Sequence, residues 1–156
     1  MRYFFSLILF FLFNNSLCQE PVSPQFLYVG ESQYKITYFS PSNINFTNNN
    51  IKRLVIVLHG NNRTAEQRQN AIIQAANSEN KYLETLIISP HFIGTQELVA
   101  NGLDDYHLYW SSASWMDGSP SSSSGAYPRD ESFSSFEVMD NIITPVSYTH
   151  LTLPTS

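Results

Sequence analysis

The sequence predicts an α/β fold: an N-terminal hairpin, a parallel β–α–β unit, and a following helix. Three observations carry this. Leu54 to Leu58 is an unbroken run of branched aliphatics without alternation, the pattern of a strand covered on both faces. The segment Thr64-Ala65-Glu66-Gln67, with a hydroxyl at the cap and an amide three residues on, has the form of a helix-opening capping box. A second short apolar run, Leu86-Ile87-Ile88, follows that helix and is stopped by Pro90.

Two β-rich runs, Phe26 to Val29 and Tyr34 to Phe39, flank Gly30-Glu31-Ser32-Gln33. The second alternates Tyr34, Ile36 and Tyr38 against Lys35 and Thr37, which reads as one arm of a hairpin. Ser40 to Asn50, with Pro41 and three successive asparagines, reads as a loop. The strand Arg53 to Leu58 ends at His59-Gly60-Asn61-Asn62. The helix opened at Thr64 runs to about Asn77, with Ala65, Ile72 and Ala76 along one face. His91 to Asp130 shows little periodicity and reads as a long loop, a length that is uncommon without a functional reason. Ser134-Ser135-Phe136-Glu137 is a second capping box, opening a helix with Phe136, Met139 and Ile143 as its apolar stripe.

Composition excludes several function classes. Eight basic residues stand against 13 acidic ones, for a formal charge of −5. They form no basic cluster, so neither a nucleic-acid footprint nor a polybasic membrane patch is predicted. A single cysteine rules out a disulfide framework and multi-cysteine metal sites. His91 and His107 stand sixteen apart near Asp104-Asp105, without the spacing of a helical metal pair, so no metal is predicted. The glycine-rich dinucleotide fingerprint G-x-G-x-x-G is absent after the first buried strand, since HGNNRT holds one glycine.

The two ends are set apart from the fold. Arg2 followed by the apolar run Tyr3 to Phe13 suits a signal peptide over residues 1–18, cut between Cys18 and Gln19. That run is far short of the roughly 20 residues a bilayer span needs, so a secreted chain with no stable membrane span is predicted. At the other end, Val146 to Thr155 (VSYTHLTLPT) resembles one frame of a translated transposase-type sequencing adaptor. Residues 145–156 are therefore predicted to be a non-native tail, leaving 19–144 as the native segment.

Four pieces in order, His59 to Arg63, Ile88 to Phe92, Tyr109 to Trp115 and Ser134 to Asp140, carry a resemblance to the α/β-hydrolase superfamily, and within it to a secreted serine esterase or lipase-like group. The resemblance spans about Tyr34 to Ile143 and implies an incomplete α/β-hydrolase fold. Acyl transfer needs N–H donors placed before the oxyanion develops, and in this fold one comes from the loop between the third strand and the first helix. The resemblance thus implies that Gly60, Asn61 and Asn62 form the oxyanion and substrate loop. Gly60 would permit a tight turn, Asn61 would supply the N–H, and His59 would be a structural support. It implies no cofactor and a small-molecule or polymeric ester substrate. Tyr109, Trp110 and Trp115 could line a cleft or pack the long loop onto the core.

The G-x-S-x-G nucleophile elbow of that fold is absent from all 156 residues, and with it any identifiable triad. Gly118-Ser119-Pro120 and Ser124-Gly125 do not read as strand-to-helix turns. As written, the chain should be inactive, being the N-terminal part of a larger enzyme. The competing expectation is a secreted, non-catalytic binding protein on the same fold. Two sequons, Asn45-Phe46-Thr47 and Asn62-Arg63-Thr64, allow N-glycosylation; Asn45 is the predicted site, and Asn62 is predicted to stay unmodified.

Overall fold

A computed structural model describes residues 23–149 apart from Phe46. The predicted signal peptide and most of the predicted tail lie outside the described residues.

The hairpin forms from β1 (Pro24–Tyr28) and β2 (Lys35–Phe39), paired antiparallel from Pro24↔Phe39 to Tyr28↔Lys35. Gly30, at φ 60°, supplies the left-handed turn residue that glycine adopts at no steric cost. The parallel unit is β3 (Arg53–Ile56), α1 (Ala65–Ser78) and β4 (Thr85–His91), with Leu54 opposite Leu86 and Ile56 opposite Ile88. The hairpin docks on β4 through β2, antiparallel, with Phe39 opposite Ser89. The result is one mixed sheet in the order β1-β2-β4-β3.

Position in that order explains the burial. β4 is central and its first six residues are buried. β3 is at the edge, so its branched run, predicted to be covered on both faces, is only partly buried, and Leu58 is half exposed. β4 also continues through Pro90 to His91, where the sequence reading stopped it. One face of the sheet packs Phe39 and Ile87 against Ala65 and Ile73 of α1. Gln69, fully buried on α1, donates to the Ile87 carbonyl at 3.0 Å, in the stretch of β4 that β2 does not reach.

The other face is covered by α3 (Ser135–Thr149). Its capping box forms: Ser134 Oγ accepts from the Phe136 N–H at 3.1 Å, and Glu137 accepts from the Ser134 N–H at 3.4 Å. The buried stripe is Val138, Ile142 and Val146, while Phe136 and Ile143 are exposed. Of the predicted stripe Phe136, Met139 and Ile143, Met139 packs against the core. The helix runs past Pro145 to Thr149, and Val146 is fully buried against Leu86 and Ile88.

The predicted long loop also holds structure. A short helix α2 (Thr95–Ala100) follows Gly94, whose N–H donates to Glu97 at 2.9 Å. A 3-10 turn spans Ala113–Asp117 and ends at Gly118, in the left-handed region with φ 81°. Gly118 thus closes a 3-10 turn, and no strand-to-helix elbow lies there. Among the described residues no helix is long and apolar enough to cross a membrane.

Candidate functional site

The loop His59 to Arg63 leaves the carboxyl end of β3 and delivers the chain to α1. Gly60, Asn61 and Asn62 are exposed, and the turn closes with the Arg63 N–H donating to the Gly60 carbonyl at 3.0 Å. Among the described residues, no acceptor meets the backbone N–H of Asn61 or Asn62. The tight conformation expected of Gly60 belongs instead to Arg63, whose φ is 52°. Gly60 is not left-handed, and a Cβ there would meet nothing within 4 Å. The side chain of Thr64 makes no capping bond, so the first predicted capping box does not form.

His59 is buried at 3% exposure, and both of its ring nitrogens are engaged. Nδ1 lies 2.8 Å from the Gly60 carbonyl and Nε2 accepts the Phe92 N–H at 3.0 Å. That pair of bonds requires the neutral Nδ1–H tautomer. Burial also lowers the pKa of the ring, with the Arg63 charge acting in the same sense against the Gly60 bond. No lone pair is left for a general base.

Arg63 carries more of the site than its sequence position suggested. Its guanidinium donates to the carbonyls of Phe92, of Trp110 at 2.8 Å and of Ser112 at 3.0 Å, with Glu97 4.0 Å away. Phe92 is therefore held on its N–H by His59 and on its carbonyl by Arg63, the two ends of one loop. A five-residue loop with a single arginine gave no sequence signal for this.

Tyr109, Trp110 and Trp115 are buried at 1%, 0% and 5% exposure. Trp115 stacks on Phe92 at 5.2 Å and lies 4.6 Å from the His59 ring. Trp110 Nε1 donates to the Ser119 carbonyl and the Tyr109 hydroxyl to the Tyr127 carbonyl. Of the two alternatives, these aromatics pack the 91–130 segment onto the core. A cleft of about 480 Å³ lies elsewhere, between the hairpin and α1, lined by Phe26, Phe39, Arg63, Thr64, His91 and Leu103 among others. None of the three aromatics borders it.

His91, at the end of β4, has its pKa lowered to about 4, first by burial and then by the neighbouring His59. His107 is far along the chain and bonds Asp104 at 2.8 Å. Among the described residues no group of three or more His, Cys, Asp or Glu side chains is placed to hold a metal. Asn45 and Asn62 are both exposed. No known family model, curated protein or solved structure matches the chain.

Proposed function

We propose that this chain supplies the oxyanion-loop part of a secreted acyl hydrolase of the α/β-hydrolase type, acting on an ester by a Ser-His-Asp/Glu mechanism without a cofactor. The nucleophile, acid and base would come from sequence other than these 156 residues, and the chain alone would be inactive. The observation that carries this reading is the pair of unpartnered, exposed N–H groups at Asn61 and Asn62. They sit on a turn after the third strand and before the first helix, where the fold places an oxyanion donor. Such a donor is worth on the order of 3–4 kcal/mol in the transition state only if it is already in place. His59 and Arg63 fix the turn from below and leave its outer amides free.

The test is to amplify the source message from the codons for Arg53 to Asn62, read beyond the codon for Thr144, and assay the encoded protein on p-nitrophenyl esters. A strand and a G-x-S-x-G elbow after α3, with ester turnover lost on substituting that serine, is the expected result. A message continuing without an elbow would sink the enzyme reading in favour of a non-catalytic binding protein on the same fold.

A further inference from the structure

His59 and His91 stand at the carboxyl ends of the two parallel strands, with ring centroids 5.6 Å apart and planes at 88°. We propose that this pair is an acid-sensitive latch on the loop His59 to Arg63: protonation of His59 breaks its bond to the Phe92 N–H and releases the His59 end of the loop, while Arg63 keeps its hold on the Phe92 carbonyl. The inference goes beyond the acyl-hydrolase reading and holds whatever the loop binds.

The argument is stereochemical. His59 donates from Nδ1 to Gly60 and accepts at Nε2 from Phe92. A second proton can reside only on Nε2, where it would confront the Phe92 N–H, donor against donor. At 3.0 Å that contact cannot persist, so ring and backbone must part. Among the described residues, the Phe92 N–H gives the only hydrogen bond from the His59 ring to β4 and the residues after it.

The electrostatic surroundings act in the same direction. From the loop itself, Arg63 places a guanidinium near both rings, and from α2, Glu97 supplies the single opposing charge acting on both. From β4, His91 turns a buried Nε2 with no hydrogen-bond partner into the site. From β2, the uncharged Thr37 pairs with His91 across the ladder and the Phe39 ring lies 5.8 Å from it. From α1, Glu66 shares the wall of the cleft with His91. Charging both imidazoles therefore gathers three cations around one partly screened carboxylate. His91 thus opposes reclosure, and Trp115, tilted against the His59 ring at 4.6 Å, and Phe92, edge-on to it at 6.2 Å, shield the site from water that could solvate the charge.

The test uses the whole chain in solution. Amide exchange of Phe92, corrected for the intrinsic pH dependence, is followed from pH 7.5 to 4 beside the ring titration of His59 by NMR. The expected result is a loss of Phe92 protection of at least tenfold across the titration of His59. The Val57 amide, which bonds the Ile88 carbonyl at 2.8 Å, should stay protected. His59→Gln can accept from Phe92 without titrating, and its Phe92 protection should be flat over this range. Phe92 protection that survives the titration of His59, or that vanishes together with that of Val57, overturns the latch. So does an unchanged pH response in His59→Gln; should that variant not fold, the two wild-type measurements decide.

Discussion

The hydroxyl of Ser89 donates to the carbonyl of Val57, 2.9 Å away, at the point where Pro90 has no N–H to give. In a parallel ladder, the Val57 N–H bonds the carbonyl of Ile88, as observed at 2.8 Å. The Val57 carbonyl would then take the N–H of residue 90. Proline cannot donate and is normally confined to edges and bulges, yet here it lies in the central strand. The fully buried Ser89 hydroxyl, whose single proton is shared between the Val57 carbonyl and the Ala65 carbonyl at 3.0 Å, stands in for the missing donor.

Ser89→Ala should therefore destabilise the fold by about 1–2 kcal/mol, the cost of leaving a buried acceptor unsatisfied. Urea unfolding followed by tryptophan fluorescence reads this directly. A midpoint equal to that of the parent would show that water or Pro90 geometry, not the hydroxyl, satisfies Val57.

That substitution also marks where the sequence stopped being legible. Local periodicity located the hairpin, β3, α1 and α3 within a few residues, because alternating Tyr34, Ile36 and Tyr38 or aliphatic Leu54 to Val57 report directly on backbone period. It misjudged β4 because the rule that proline ends a strand is local, whereas the Ser89 compensation depends on Val57 across the ladder. It missed α2 because six residues carry too little periodicity, although Gly94 and Glu97 did leave a cap-like spacing. The site divided in the same way. His59 to Asn62 could be read from their place after a strand, but the grip of Arg63 on Phe92, Trp110 and Ser112 joins residues 29 to 49 positions apart, beyond any pattern within one segment.

Arg63→Lys tests that grip. An ammonium cannot reproduce a planar fork directed at three carbonyls, and the left-handed backbone at Arg63 remains to be held. A loss of about 2–3 kcal/mol is expected, with faster proteolysis in the segment around Trp110 to Asp117. Retained stability and protease resistance would mean that Trp115 and Phe92 stacking alone fixes the loop.

Acid should destabilise the fold, with burial lowering the pKa of His59, His91 and His107, and Asp104 acting in the same sense lower down. His91 titrates at about 4 in the folded chain, against 6.5 ordinarily. Its depressed value favours the neutral folded form, so its contribution is full above pH 6.5 and is lost as pH falls toward 4, amounting to at most about 3 kcal/mol. Asp104 follows lower down. Burial alone would raise its pKa, but Lys35 and His107 hold it at about 2 instead of 3.8, so its contribution drains between those values. Denaturant midpoints measured from pH 7.5 to 2.5 should fall throughout, and His91→Phe should lessen the upper part of that fall. A parent midpoint independent of pH between 7 and 4 would contradict the environment assigned to His91.

Gly60→Ala separates folding from function at the loop. Gly60 is not left-handed and a methyl there meets nothing within 4 Å, so stability should change by no more than about 0.5 kcal/mol. If the loop cradles a reacting ester, the same methyl would stand where substrate must approach, and ester hydrolysis by the proposed full-length enzyme should fall by at least tenfold. Destabilisation beyond 1 kcal/mol would instead assign the glycine a structural role the geometry does not predict.

The outer edge of β3 is the remaining exposed feature, and it should govern behaviour in solution. Among the described residues no strand pairs with it. Its side chains from Leu54 to Val57 are apolar and partly exposed, and the half-exposed Leu58 extends the run. Natural edges are blunted by lysine, proline or a bulge, whereas here Arg53 is the only charge within the strand, and it is engaged by Glu84 at 3.3 Å. The chain should therefore associate as its concentration rises, seen as a growing scattering mass between micromolar and hundred-micromolar protein. Leu58→Lys adds charge beside the edge without entering the core and should raise the onset concentration at least tenfold. A monomeric elution volume across that range, with a cooperative thermal transition, would show that the edge is already closed by residues other than those described.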